Sequence, residues 1–225
     1  KRSILNYENY TYRGMRLVDL VHASRGCKYN CFPCCTAYLG GRKFRPRIID
    51  TVVKELESID NDKLFIVDNS LAQNKEWEIE LFKAIAPLKK KWCCHPIEDD
   101  DEVLKYAKEA GAWYVYQAIF DTSDYIKRRV QRYKDHGIAV EGTIILGMDD
   151  HTEDYIKKLV DFLLELNLDL AEFTILTPFP HTPIFEKLKS ENRILHYNWI
   201  DYNAGNVVFQ PKLMSKEGLQ AMYQY

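Results

Sequence analysis

The chain has 225 residues, 46% apolar and 28% charged, with 31 Lys+Arg against 33 Asp+Glu and a net charge of −2. That size and composition support one large buried core and exclude intrinsic disorder, collagen-like sequence and a disulfide-dense miniprotein. The near-neutral charge offers no polycationic footprint for nucleic acid, so none is expected as a partner. No apolar run of about 18 residues marks a membrane span, and no signal-peptide pattern opens the chain. The first residues, KRSILNYENYTYRG without an initiator Met, read as an internal or trimmed start. Six cysteines fall in two tight groups, Cys27, Cys31, Cys34 and Cys35, then Cys93 and Cys94. Disulfides spread cysteines to close loops, whereas groups this tight suit metal ligation in a reducing compartment, and the expected location is cytoplasmic.

Short β-branched runs alternate with amphipathic stretches. Val18–Ser24 reads as a first strand that stops at Arg25-Gly26. Pro46 is expected to open a helix in which Ile49, Val52, Val53, Leu56 and Ile59 keep helical spacing. Lys63–Ser70 reads as the second strand, with a helix around Trp77, Leu81, Phe82 and Ile85. KWCCHP is a short third strand, followed by a helix over Asp99–Ala110 with Gly111 as its C-cap. Trp113–Phe120 is the fourth strand, and a basic amphipathic helix runs to His136-Gly137. IAVEGTIILG is the fifth, Thr152–Asn167 its helix, and LAEFTILTPF the sixth. Beyond Pro178 come a proline-rich turn and a short helix. The aromatic-rich stretch Trp199–Tyr225 suggests an edge strand at NVVFQP and a final helix near Glu217–Met222.

This spacing is that of βαβ units, and right-handed crossovers make the sheet either doubly wound or an incomplete barrel. A doubly wound sheet is covered on both faces, so its strands read as continuous apolar runs. Here one parity carries polar groups, namely His22, Gln117, Glu141, Thr143, Glu172 and Thr174, which predicts a wet, open interior. The predicted fold class is therefore α/β, a partial (β/α)6 TIM-like barrel with a C-terminal extension. Its expected divisions are a lead-in over 1–16, the barrel over 17–180, and an extension over 181–225 that closes the barrel. Trp199, Tyr202 and Phe209 are expected to plug the open side.

The segment Ser24–Cys35 places Cys27, Cys31 and Cys34 as Cys-x3-Cys-x2-Cys after the first strand, at the rim where βα barrels keep their active sites. Three thiolates can hold three irons of a [4Fe–4S] cube and leave the fourth open, where four cysteines would close it. Structural zinc, with Cys35 or His22 completing four ligands, is a second reading, although adjacent Cys34 and Cys35 would coordinate awkwardly. Inert buried thiols are a third. By alternation one of Cys93, Cys94 and His95 must face inward, with core thiols the ordinary outcome. The run Lys127–Lys134 reads as a solvated helix face.

The cysteine loop and its six βα units resemble the radical S-adenosylmethionine (SAM) superfamily. Within it, SRGC(x)3C(x)2C, Phe44–Arg47, Phe65–Ser70 and Thr177–Pro183 are similar to the subgroup that carries an N-terminal cobalamin-binding domain, and Asn206–Ser215 resembles its C-terminal extension. The resemblance implies that Cys27, Cys31 and Cys34 bind a [4Fe–4S] cluster and that SAM chelates its fourth iron. It implies an enzyme that cleaves SAM reductively to a 5′-deoxyadenosyl radical and abstracts hydrogen from a small-molecule, lipid or peptide substrate, for methylation or C–C bond formation. The alternative is a non-catalytic iron–sulfur or zinc module. Asp68 and Asn69 take the place of the SAM amino-group contact, Gly142, Ile144, Leu146 and Gly147 that of the strand lining the adenine, and Phe32 or Tyr29 that of the adenine-stacking aromatic. The SAM set is completed by Gln117, Glu141 and Thr143. An electron donor such as flavodoxin or ferredoxin is implied. Three positions depart from the pattern: Pro33 precedes the third cysteine where an aromatic is preferred, Phe120-Asp121 replaces Glu-Ser, and no cobalamin-binding DxHxxG is present.

Overall fold

A computed structural model describes residues 18–225 together with the backbone of Thr11–Tyr12 (β1) and Met15–Arg16 (β2), which pair antiparallel. The rest of the lead-in expected over 1–16 lies outside the described residues. Asp19–Val21 (β3) begins the main sheet, and Ser24–Arg25 (β4) pairs antiparallel with Arg45–Pro46 (β5) across the cysteine loop, which also holds the one-turn helix Thr36–Leu39 (α1). The repeating part follows as Ile49–Glu57 (α2), Lys63–Ile66 (β6), Lys75–Ile85 (α3), Lys91–Cys94 (β7), Asp101–Glu109 (α4), Ala112–Ala118 (β8), Asp124–Asp135 (α5), Ala139–Leu146 (β9), Glu153–Leu166 (α6) and Leu170–Ile175 (β10). Pro183–Ser190 (α7) and Lys216–Gln224 (α8) complete the chain.

The strands lie in the order β10-β9-β8-β7-β6-β3, and every pair is parallel. The order never reverses, so crossovers of one hand lay every helix on the same face, whereas a doubly wound sheet changes direction midway. Val21, Ile66, Cys94, Val115 and Val140 make one row across five strands, all of them buried beneath those helices. Among the described residues the other face carries no helix. β3 and β10 do not meet, so the fold is an open, partial barrel.

Local chemistry sets the helix limits. Asn74, Ser123, Thr152, Thr182 and Ser215 each accept a backbone N–H of the first turn as N-caps. Asn167, with φ 49°, ends α6. Pro46 does not open a helix. It pairs with Ser24 in the strap that closes the cysteine loop, where the Arg47 N–H donates to Ala23 O at 2.9 Å. NVVFQP does not join the sheet either: Phe209 makes a single bridge to Ile194. The β10 edge is instead covered by the preceding turn, whose Ala204 O accepts the Ile175 N–H at 2.7 Å. Phe209 is buried in the core, and α8 packs on α6 and β10, extending the helix layer. Of its expected companions, Trp199 is exposed and meets Tyr202 at a tilt of 56° with centroids 4.8 Å apart.

Candidate functional site

The cysteine loop grows out of the C-terminal end of β3, at the rim. Gly26 allows the entry turn: its φ is +76°, and a Cβ there would lie 2.2 Å from Lys43 O. The Cys27 N–H donates to Gly41 O at 3.2 Å and the Cys34 N–H to Cys31 O at 2.9 Å, which folds the loop back on itself. Burial and the charges of both Cys27 and Cys34 push the Cys31 thiol up, whereas Cys35 is raised by burial and by Cys34 among the thiols. Cys31 and Cys34 are exposed and Cys27 and Cys35 half-buried. The three spaced cysteines thus stand together on one short, accessible loop, a donor set that fits a multi-iron cluster. Among the described residues no three His, Cys, Asp or Glu side chains converge on the position of a single ion.

The end of β6 and the turn after it grip this loop. Gln73 Oε1 accepts the Lys28 N–H at 2.8 Å, while its Nε2 donates to Gly26 O at 3.2 Å and Ser70 O at 2.7 Å. The Tyr29 hydroxyl donates to Ala72 O at 2.5 Å. Asp68 is buried. Its Oδ1 accepts the Ala23 N–H at 2.8 Å and its Oδ2 the Ser24 hydroxyl at 2.5 Å, with His22 Nδ1 at 3.8 Å. Burial raises its carboxyl above the usual range, against the pull of those hydrogen bonds. Its neighbour Asn69 is exposed and lines a cavity of about 260 Å³ with His22, Arg25 and Arg45. Phe32, at the loop tip, lines a second cavity of about 350 Å³ with Met148, Asp149, Leu176, Ile184 and Lys212.

Strand register places the remaining candidates. Glu141, Thr143, Glu172 and Thr174 share the open face, joined there by Phe65, Cys93, His95, Tyr114 and Tyr116. Gln117 does not share it. Gln117 pairs with Gly142 on the helix face, is only 5% exposed, and accepts the Arg129 Nε–H at 2.8 Å. Gly142, Ile144 and Leu146 also face the helices, so they do not line the open interior. Gly147, with φ +93°, meets the C-terminal extension instead: a Cβ there would lie 2.7 Å from Leu219 Cδ2 and 3.2 Å from Phe209 Cζ. Of the second cysteine pair, Cys94 is fully buried under the helices and Cys93 faces inward, where burial holds its thiol at about 11.

Two features escape a reading of the sequence. Arg129, inside the basic run read as solvated, is 13% exposed and binds Gln117, Asp99, Tyr125, Tyr133 and Ile97 O at 2.8–3.2 Å. Asp149, just beyond β9, binds Lys187 at 2.6 Å and Arg193 at 2.7 Å, which holds its carboxyl at about 2. The i, i+4 spacing of Arg129 with Tyr125 and Tyr133 hints at the first cluster; nothing local hints at the second.

No protein-family model matches the chain. Among proteins it is similar to, the bacteriochlorophyllide d C-12(1)-methyltransferase of Chlorobaculum tepidum is 28% identical over 88% of this chain and 48% of its own length. The anaerobic magnesium-protoporphyrin IX monomethyl ester cyclase of Cereibacter sphaeroides is 24% identical over 95% of this chain and 39% of its own. The chain thus spans about half or less of the relatives it matches. Among solved structures, the radical S-adenosylmethionine methyltransferase TsrM of Kitasatospora setae superposes with a TM-score of 0.71 at 18% identity, covering 77% of this chain and 39% of that one. The fold is the partial barrel of that radical SAM enzyme, and the sequence relatives, matched along most of this chain, are a methyltransferase and a cyclase.

Proposed function

We propose that this chain is the catalytic barrel of a radical SAM enzyme in which Cys27, Cys31 and Cys34 hold a [4Fe–4S] cluster. The observation that carries the reading is the Cys-x3-Cys-x2-Cys spacing on a rim loop that Gln73 grips from the turn after β6. When bound, the cluster and SAM would supply one-electron reductive cleavage of SAM and, through it, hydrogen abstraction from a substrate. The protein's own groups position and shield. Gln73, Tyr29 and Asp68 fix the ligand loop, so Asp68 is a positioning residue, since its carboxylate already accepts Ala23 N–H and Ser24 O–H. Asn69 and Phe32 border the two rim cavities and are the SAM-contacting candidates. Glu141 and Thr143, deeper on the open face, belong to the substrate side.

Methyl transfer or C–C bond formation is the outcome favoured by the names of the relatives, and a cobalamin used for methylation would be held by a separate domain or partner. Flavodoxin or ferredoxin would supply the electron, in the cytoplasm. Among the described residues no helix is long and apolar enough to cross a membrane.

The test is anaerobic reconstitution with iron and sulfide, followed by SAM and dithionite and quantification of 5′-deoxyadenosine. Cys27→Ala, Cys31→Ala and Cys34→Ala should each lose cluster and product, while Cys35→Ala keeps both. Equal iron loss from Cys35→Ala and Cys34→Ala, with no SAM bound, would replace the enzyme by a fully ligated, non-catalytic metal module.

A further inference from the structure

The open face carries a recognition surface of its own. Phe65 on β6, His95 just past the end of β7 and Tyr116 on β8 stack in one panel, with centroids 5.4–5.7 Å apart and planes 21–30° from one another. Tyr114 closes its lower edge, edge-on to Tyr116 at 5.0 Å. Beside the panel, Glu141 on β9 and Glu172 on β10 point to the same side of the sheet. Neither carboxylate has an ion-pair or hydrogen-bond partner among the described residues, and neither is among those whose contacts reach the undescribed ones. Burial and the charge of Glu172 raise the Glu141 carboxyl, so the pair is close enough to repel.

Nothing in the panel offsets that charge. Burial lowers the His95 imidazole and raises the Tyr116 phenol and the Cys93 thiol, leaving all three neutral near pH 7. The lysines of this parity, Lys63 and Lys91, stand at the exposed feet of their strands. Two carboxylates are too few for a hard dication, which needs six or more oxygens. A flat electron-rich surface flanked by unpaired carboxylates has the composition that recognises organic cations.

We propose that the open face binds the substrate and that this substrate is a flat or ring-bearing organic cation, its ring laid on Phe65, His95 and Tyr116 and its protonated nitrogen held by Glu141 and Glu172. The assignment of that ligand as substrate rests on the radical SAM reading; the binding does not.

Equilibrium dialysis of the anaerobically reconstituted protein, both without SAM and with saturating SAM and no reductant, tests it without turnover. The probes are tryptamine, indole and indole-3-propionate, which share a ring and differ in charge. Tryptamine should bind at least about tenfold more tightly than indole-3-propionate, the ratio expected for a cation–π contact plus one charge-assisted hydrogen bond. The double variant Glu141→Gln, Glu172→Gln should lose that preference and keep indole binding, while Tyr116→Ala should weaken all three probes. Preference for the anion, an unchanged preference in the double variant, retention of none of the probes, or displacement of tryptamine by SAM would each overturn the proposal. The last would mean that the cation seated there is SAM itself. A protein that fails to cleave SAM yet keeps the preference would sink the enzyme reading and leave the cation site standing.

Discussion

Glu78 lies on α3 with its side chain fully buried. Its Oε1 accepts the Glu98 N–H at 3.3 Å, and its Oε2 has no partner among the described protein atoms. Burial pushes its carboxyl from the ordinary 4.5 to about 8, with the Glu98 N–H and the Arg129 charge pulling it back. The folded protein therefore keeps a proton that the unfolded chain releases above pH 4.5. Its stability contribution is undiminished below that pH, falls as pH rises toward 8, and levels off above. At about 1.4 kcal/mol per tenfold change in proton affinity, the whole effect is about 5 kcal/mol, of which about 3 kcal/mol lies between pH 6 and pH 9. Glu78→Gln keeps an oxygen for the Glu98 N–H and removes the titration. Relative to wild type, the variant should gain about 3 kcal/mol between pH 6 and pH 9, whatever its offset at pH 6. Anaerobic urea unfolding at the two pH values, followed by tryptophan fluorescence, measures this, and the subtraction cancels every other titrating group. A wild-type-to-variant difference equal at both pH values would refute the buried, protonated carboxyl.

Gly147→Ala should lower stability by about 3 kcal/mol, because a Cβ at φ +93° would press on Leu219 Cδ2 at 2.7 Å; a fall in Tm at unchanged iron content checks it. Asp68→Ala leaves the buried Ala23 N–H and Ser24 hydroxyl unpaired and should cost about 3 kcal/mol and slow cluster retention. Asp68→Asn can accept one and donate to the other, so it should cost less than half as much in the same denaturation and iron-release assays. Arg129→Lys replaces a five-donor fork with one ammonium and should cost about 2 kcal/mol, read by urea unfolding.

The helices and the sheet order were legible because both are local signals repeated many times. β9 shows why alternation works: Val140, Gly142, Ile144 and Leu146 are buried under helices while Glu141 and Thr143 are half-buried on the open side. β8 shows where it fails. Alternation reports polarity, and Gln117 is polar but buried, satisfied by an arginine from α5 that no spacing within the strand reveals. A register shift against β7 between Trp92 and Cys93 adds a further displacement. Pro46 misled for a related reason: a proline suits the first turn of a helix, but it suits a short edge strand as well, and only the pairing with Ser24 decides.

The three spaced cysteines are visible in sequence because they lie within eight residues; the support of their loop is not, because it arrives across the parallel sheet from 43 to 47 residues away. That separation changes what the segment Phe65–Ser70 means. Read as sequence, Asp68-Asn69 is a carboxylate and an amide placed to greet a ligand. In the fold the two neighbours part company, since a strand end turns successive side chains to opposite sides. Asp68 points down to tie Ala23 and Ser24, and Asn69 points out to the rim cavity beside Arg25. One short segment thus holds the cysteine loop with one residue and borders the cavity with the next. Displacing β6 would disturb the cluster loop and the cavity together, so loss of iron and loss of SAM binding should track one another in variants of this strand end and separate in variants of Phe32, which touches the second cavity alone.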